Sequence, residues 1–400
     1  MNSTSDLLSE ANAWVAERIA SFQEGTTVPE QHLLQELQHL FPSIELNEQW
    51  LSISIIKAWQ ETKTATHQRT PKQWAEIFPR YPILKDGFAL AFQLDQTSEI
   101  LDTLQEFGLV VVHVLNDEEC MRSRKAICEE INAIPLLTRK EPIDWQKPWT
   151  WENWNWPMNG KFLESAPAFH QQAFNNRTHE TIYHVFSTIW NENYLMVNTD
   201  RWGIARGTLG LLFPQPDGSF QKQDREDWRL ELTKHWDYNP WLLVQDIHQG
   251  IAPGYQGLIA FVDQDIDTGC HLTLPSCVRF LEQWCQENTP PPITGTDRVS
   301  FRPKHDDPIL QYMQAIPIRQ GDLLIWSWGQ LHSTIPNRSA SMRLHQYIRM
   351  FPAKNVNPFY TEHEKFSLEK MLIKYRDVFS IESIELSGLG KKLLGLESWT

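Results

Sequence analysis

The sequence predicts an α+β chain whose β part is a sandwich, jelly roll or barrel. Three observations carry this. Apolar residues in the first hundred positions recur close to every 3.6 residues. From about residue 192 onward, short β-prone runs are separated by turn residues. Between 361 and 380 the spacing is helical again.

In chain order, residues 5–22 place Leu7, Leu8, Ala11, Trp14, Val15 and Ile19 on one helical face. Residues 30–40 repeat the pattern with Leu33, Leu34, Leu37 and Leu40, and Pro42 stops it. Residues 47–64 form a third helical candidate with Trp50, Leu51, Ile55, Ile56 and Trp59. None of these segments carries a chemical constellation, so the region reads as helices that pack on something. Near residue 98 the texture changes. A short helix from Glu99 to Phe107 ends at Gly108, which suits a left-handed C-terminal cap. Leu109–Val114 follows as a buried strand, and 117–132 returns to helical spacing. Further strands are expected at Tyr194–Asn198, Leu230–His235, Gly257–Val262, Asp322–Trp326 and Leu344–Met350. Pro214–Gly218, Pro253-Gly254 and Pro290–Pro292 punctuate them.

Composition removes several function classes. With 41% hydrophobic residues the chain can bury a sizeable core, and 22% charged residues rules out wholesale disorder. A net charge of −14 argues against a broad nucleic-acid surface. The longest clean apolar run, at Gly108–Val112, falls far short of the roughly 20 residues of a membrane span. No basic stretch followed by an apolar one stands at the N-terminus, so the expectation is a cytoplasmic protein without membrane or nucleic-acid partners. The five cysteines contain no C-x-x-C pair and read as reduced, structural thiols. Eighteen tryptophans imply large flat apolar surfaces in the core or in a pocket. The densest group, Trp145, Trp149, Trp151, Trp154 and Trp156, is either packing or the roof of a pocket. Arg122, Arg124 and Lys125 read as a solvated helix face.

Two histidine contexts carry chemistry. In Thr233–Pro240, His235 and Asp237 are two apart, so on a strand they project from one face. An imidazole and a carboxylate side by side are two-thirds of the 2-His-1-carboxylate set that holds non-haem Fe(II) with open positions. The pair alone equally fits a surface histidine and a turn cap. The second context is residues 321–349, where a strand leads to His332, a Pro336-Asn337 turn follows, and the next strand begins near Arg343. His332 lies 97 positions after His235, room for several intervening strands, and a hairpin can return Arg343 beside His332. An arginine there can grip a carboxylate through two parallel hydrogen bonds. This order fits an oxygenase that chelates a 2-oxo acid on iron. His345 lies on the face of Arg343 and could line the site, and Arg201 could point into it. His248, His271 and His345 are not expected to be ligands.

With these residues, residues 98–355 resemble the phytanoyl-CoA dioxygenase-like branch of the Fe(II)/2-oxoglutarate dioxygenases. The likeness includes Leu109–Val114, Tyr194–Arg201, His235-Trp236-Asp237 and Gln256-Gly257 leading to Asp263. It continues through Gly269, Pro275 and Trp284 to Gly321-Asp322, His332, Pro336–Ser339, Arg343 and Gln346–Ile348. The resemblance implies a double-stranded β-helix (jelly roll) over 98–355, between a helical N-terminal region, 1–97, and a helical tail, 356–400. It implies His235, Asp237 and His332 as iron ligands, with Arg343 on the distal carboxylate of 2-oxoglutarate. Thr334 stands where the family often has a hydroxyl residue, and Gln256 would contact co-substrate or substrate. The implied reaction uses Fe(II), 2-oxoglutarate and O2 to hydroxylate a small molecule. A carboxylate at 237 favours hydroxylation, or desaturation or cyclisation, over halogenation. One departure is Leu274-Pro275-Ser276-Cys277, where many relatives have Pro-Gly-x-His; it leaves the triad intact and bears on local loop shape. The other readings are a non-catalytic jelly roll that binds a metal or small molecule, and a hydroxylase of protein side chains.

Overall fold

The computed structural model describes residues 4–20, 30–44, 46, 47, 50, 51, 54, 69–133, 141–151, 168–251, 254–288, 300–353 and 383–399. The helices are α1 (Thr4–Ala20), α2 (Glu30–Leu40), α3 (Pro71–Ile77), α4 (Thr97–Phe107), α5 (Asp117–Asn132), α6 (Gln171–Arg177), α7 (Glu180–Trp190), α8 (Pro240–His248), α9 (Cys277–Glu287) and α10 (Gly388–Leu393). The strands are β1 (Leu109–His113), β2 (Leu195–Val197), β3 (Trp202–Ala205), β4 (Leu211–Pro214), β5 (Phe220–Gln223), β6 (Tyr255–Ala260), β7 (His271–Thr273), β8 (Gln314–Ile316), β9 (Asp322–Ser327), β10 (His332–Thr334), β11 (Arg343–Ile348) and β12 (Met350–Pro352). Most of the expected helix at 47–64, all of 361–380, and Trp154 and Trp156 lie outside the described residues.

Helix starts follow local chemistry. Thr70 caps α3 and Asn116 caps α5, each in a reciprocal box with the residue three on, Gln73 and Glu119. Gly108 closes α4 with φ +71°, and its N–H returns to the Leu104 carbonyl. In the N-terminal segment, Ala11 and Val15 of α1 meet Leu33 and Leu37 of α2 in a cluster completed by Ile44, Leu46 and Leu51.

Among the described residues the strands form four antiparallel sheets; β2 pairs with β12 and β4 with β5 as two-stranded ribbons, and the other two sheets build the core. The larger has the order β1-β9-β6-β11-β3, and the smaller β10-β7-β8. His235 adds an antiparallel bridge to His332 on the smaller sheet. From β3 onward the chain passes repeatedly between the sheets: β3 in the larger, His235 in the smaller, β6 in the larger, β7 and β8 in the smaller, then β9, β10 and β11 in alternation. Alternate strand residues therefore enter different cores. Leu109, Val111, Leu258, Ala260, Leu324 and Trp326 pack with Ile316 of the smaller sheet. Val110, Val112, Ile259, Leu323, Ile325 and Leu344 point the other way, against Ile127 and Ile131 of α5 and Phe174 of α6. A strand buried on both faces needs an unbroken apolar run, which is why Leu109–Val112 reads as it does. Each such side chain contributes about 1.5–3 kcal/mol on full burial.

The outer edge of β1 is covered. Phe92 donates its N–H to the Val111 carbonyl and accepts from His113 N–H, both at 2.9 Å. At the other end of the chain, Trp399 donates its indole N–H to the Leu195 carbonyl at 2.9 Å and stacks on Tyr183 and Tyr194. All five cysteines are free and buried, and burial pushes the Cys120, Cys270 and Cys277 thiols up to about 12.

Two expectations change. Leu230–His235 is not a regular strand. Ser333 donates its hydroxyl to the Leu232 carbonyl at 2.6 Å, so a side chain occupies a group that a backbone ladder would use. The backbone pairing with β10 is confined to His235 and His332. Leu344–Met350 is not one strand either. It divides at Arg349, with β11 in the larger sheet and β12 paired to β2.

Candidate functional site

His235 and His332 exchange both backbone hydrogen bonds, at 2.9 and 3.0 Å, which brings residues 97 apart in sequence side by side. Their ring centroids are 4.6 Å apart. Asp237 lies in the bend just after the bridge, before Asn239 caps α8. The nitrogens and carboxylate oxygens that His235, Asp237 and His332 offer all lie within 4.8 Å of one another. His235 Nε2 is 3.2 Å from Asp237 Oδ1, and His332 Nε2 is 3.4 Å from Oδ2.

The other ring nitrogens are already engaged. His235 Nδ1 lies 2.8 Å from the Thr233 carbonyl, and His332 Nδ1 lies 3.0 Å from the Gln330 carbonyl. A carbonyl only accepts, so each Nδ1 carries a proton, which leaves Nε2 as the atom each ring can offer to a metal in the shared space. Gln256, on β6, donates its amide N–H to Asp237 Oδ2 at 2.5 Å. Burial opposes ionisation of Asp237, but the neighbouring imidazoles and these hydrogen bonds hold its carboxyl well below the usual carboxylate range. Burial lowers His332. It acts on His235 too, where the Asp237 contact outweighs it and raises the imidazole. Two imidazole Nε2 atoms, from which a metal displaces any proton, and an ionised oxygen are a donor set suited to a divalent transition metal.

Arg343 is 4% exposed. Its Nε donates to Gln264 Oε1 at 2.8 Å, and one terminal N–H donates to the Thr334 hydroxyl. Among the described residues, the titratable neighbours acting on it are Tyr347 and Cys270, not a carboxylate. Burial pulls its pKa down, yet a guanidinium stays charged at neutral pH. A buried cation without an acidic partner is costly unless an anion reaches it. The cavity beside it is lined by Thr334, Ile335, Leu230, Leu232 and Ile204, with His345.

The residues singled out in the sequence that the structure describes can now be located. His235, Asp237, His332 and Gln256 form one group, and Arg343 and Thr334 another. Arg343 does not reach this region through a hairpin with His332, as the spacing suggested. β10 and β11 lie in different sheets, and the guanidinium crosses between them to Thr334. His248 pairs with Glu282 at the surface. Arg201 lies with its guanidinium carbon 5.3 Å from the Tyr347 ring centroid. Trp151 is fully buried and donates to the Asp144 carbonyl, Trp149 meets Phe220, and Trp145 lies under Arg124. Arg124 is not on a solvated face: it is buried, with hydrogen bonds to the Phe261 carbonyl and Gln320, whereas Arg122 and Lys125 pair with Glu118 and Glu129.

Sequence reasoning passed over Gln264, read His271 only as a residue that is not a ligand, and read Trp326 only as the end of a strand. Gln264 belongs to no motif. His271 stacks on His332 with ring centroids 5.6 Å apart, Trp326 lies tilted against both, and His271 Nε2 and Trp326 Nε1 have no hydrogen-bond partner among the described residues. No helix among the described residues is long and apolar enough to cross a membrane.

No protein-family model matches the chain. A Dictyostelium discoideum protein named "Putative phytanoyl-CoA dioxygenase" is 25% identical over 320 residues, 73% of this chain and 85% of that protein. The family resemblance carried by the motifs is thus found again in a curated relative. Among solved structures, GlcNAc Inducible Gene 2 (DUF1479) from Candida albicans is 12% identical and covers 98% of this chain and 90% of its own, with a TM-score of 0.52; it shares the fold. The epimerase SnoN, in complex with Fe3+, alpha ketoglutarate and nogalamycin RO, is 15% identical over 65% of this chain and 84% of its own, with a TM-score of 0.40.

Proposed function

We propose that the chain is a non-haem Fe(II)/2-oxoglutarate-dependent oxygenase that hydroxylates a small organic molecule with release of succinate and CO2. The observation that carries this is the convergence of His235 Nε2, His332 Nε2 and the Asp237 carboxylate within 4.8 Å, with both Nδ1 groups engaged elsewhere. The two sheets, between which the chain repeatedly passes, are read as the faces of a double-stranded β-helix with this group at one end. The similarity to the Dictyostelium discoideum protein supports the same reading.

In this reading His235, Asp237 and His332 hold the metal. Gln256 fixes the Asp237 carboxylate by its amide hydrogen bond. Arg343 and Thr334 take the far carboxylate of 2-oxoglutarate, and Gln264 sets the plane of the guanidinium. Apolar residues between the sheets, Leu258, Leu324 and Trp326, keep bulk water from the interior. Iron with its 2-oxo acid supplies the oxidising chemistry; the chain supplies position, charge and shelter.

The test is succinate formation in air by the wild type with Fe(II) and 2-oxoglutarate. Slow turnover without added substrate is expected, and loss of it in Asp237→Ala and His332→Ala. A wild type that neither binds a divalent metal nor forms succinate would leave a jelly-roll binding protein as the better reading.

A further inference from the structure

The cavity beside Arg343 contains a side chain that none of these roles uses. His345 is 1% exposed and lines that cavity with Arg343 and Thr334. Neither of its ring nitrogens has a hydrogen-bond partner among the described residues. A buried polar atom left unpaired keeps its desolvation cost without the compensating bond, so an imidazole with two such atoms is a poor packing residue.

The surroundings make room for it. Arg343 and His345 are alternate residues of β11 and share its inner face. Opposite His345 on β3 stands Gly203, and a Cβ there would lie 1.9 Å from His345 Nε2. Only glycine at 203 leaves space for the ring. Tyr347 meets the ring edge to face, with centroids 4.8 Å apart. Burial first, then the positive charge of Arg343, holds the imidazole neutral, with one N–H to donate.

Resting on the oxygenase reading above, we propose that His345 is a co-substrate-binding residue, donating a hydrogen bond to the far carboxylate of 2-oxoglutarate beside Arg343 and so favouring the diacid over 2-oxo monoacids. The carboxylate has lone pairs to spare after meeting the guanidinium and the hydroxyl, and the imidazole is the unpaired donor on the same wall.

The test is anaerobic calorimetry on the Mn(II)-loaded protein, titrated with 2-oxoglutarate and, separately, with pyruvate, which lacks the far carboxylate. His345→Leu should weaken 2-oxoglutarate about tenfold, as expected for one lost hydrogen bond to a charged group. It should leave pyruvate and Mn(II) affinity unchanged. His345→Asn, which keeps a donor, should recover part of the loss, and His345→Ala, which removes the donor without adding bulk, repeats the comparison should the leucine variant fail to fold. Unchanged 2-oxoglutarate affinity, or equal weakening toward both acids, would overturn the role of His345. A wild type that binds Mn(II) but not 2-oxoglutarate would instead overturn the oxygenase reading.

Discussion

Gln264 accepts a hydrogen bond from Arg343 Nε at 2.8 Å, and both side chains are buried between the sheets. That bond fixes the guanidinium plane and leaves its terminal nitrogens for Thr334 and the cavity. Gln264→Leu should strand Nε inside the fold, at a cost of about 1–3 kcal/mol. The expected outcome is a lower midpoint in thermal unfolding, together with a KM for 2-oxoglutarate raised about tenfold and a smaller change in kcat. Steady-state kinetics with varied 2-oxoglutarate separates the two effects.

Gln256 supports Asp237 from the adjacent sheet. Outer hydrogen bonds to a ligating carboxylate typically account for about ten- to a hundredfold in metal affinity. Gln256→Leu should weaken divalent-metal binding by that range in a competition titration against a chelator of known affinity. Gln256→Glu places a second carboxylate beside Asp237. It should raise the pH at which metal binding is half complete, because like charges disfavour joint ionisation.

Gly203 and His345 should be coupled. Gly203→Ala forces its methyl into the imidazole and should destabilise the protein by about 1–3 kcal/mol. His345→Ala removes the obstacle, so the double variant should lose less than the sum of the two singles. A cycle of urea denaturations over the four proteins measures this interaction, and additivity would contradict the packing described.

Acid should destabilise the metal-free protein through its buried histidines. His271 and His345 are held well below the ordinary imidazole value, chiefly by burial. The unfolded chain therefore binds protons that the folded chain refuses once the pH drops below about 6.5. Stability contributed by the neutral rings is present above that pH and lost as pH falls, by up to about 1.4 kcal/mol per pH unit for each group. Urea unfolding between pH 5 and 7 should show this slope, and His345→Leu should remove its share.

Much of this arrangement was legible in the residues. The unbroken run Leu109–Val112 announced a strand buried on both faces, and Gly108 announced the helix end before it. His235, Asp237 and His332 were legible because their types and order match a metal-ligating chemistry. How they meet was not. Alternation along a strand accounted for His235 and Asp237, whereas the bridge between His235 and His332 and the bend at Asp237 bring them together. The irregular path at 230–234 depends on the Ser333 hydroxyl, a long-range contact with no local signature. Gln264 was obscure for a related reason, and His345 was legible only as a residue that could line the site. A glutamine beyond a strand end matters only through the arginine it faces. A histidine becomes notable only once both of its nitrogens prove unpaired.

The most direct measurement is an anaerobic titration of the Fe(II)-loaded protein with 2-oxoglutarate, followed by visible absorption. The expected result is a weak metal-to-ligand charge-transfer band that grows with 2-oxoglutarate, requires more of it in Arg343→Ala, and is missing in His332→Ala. Iron bound by the wild type with no band at any 2-oxoglutarate concentration would contradict a shared site for the metal and the 2-oxo acid.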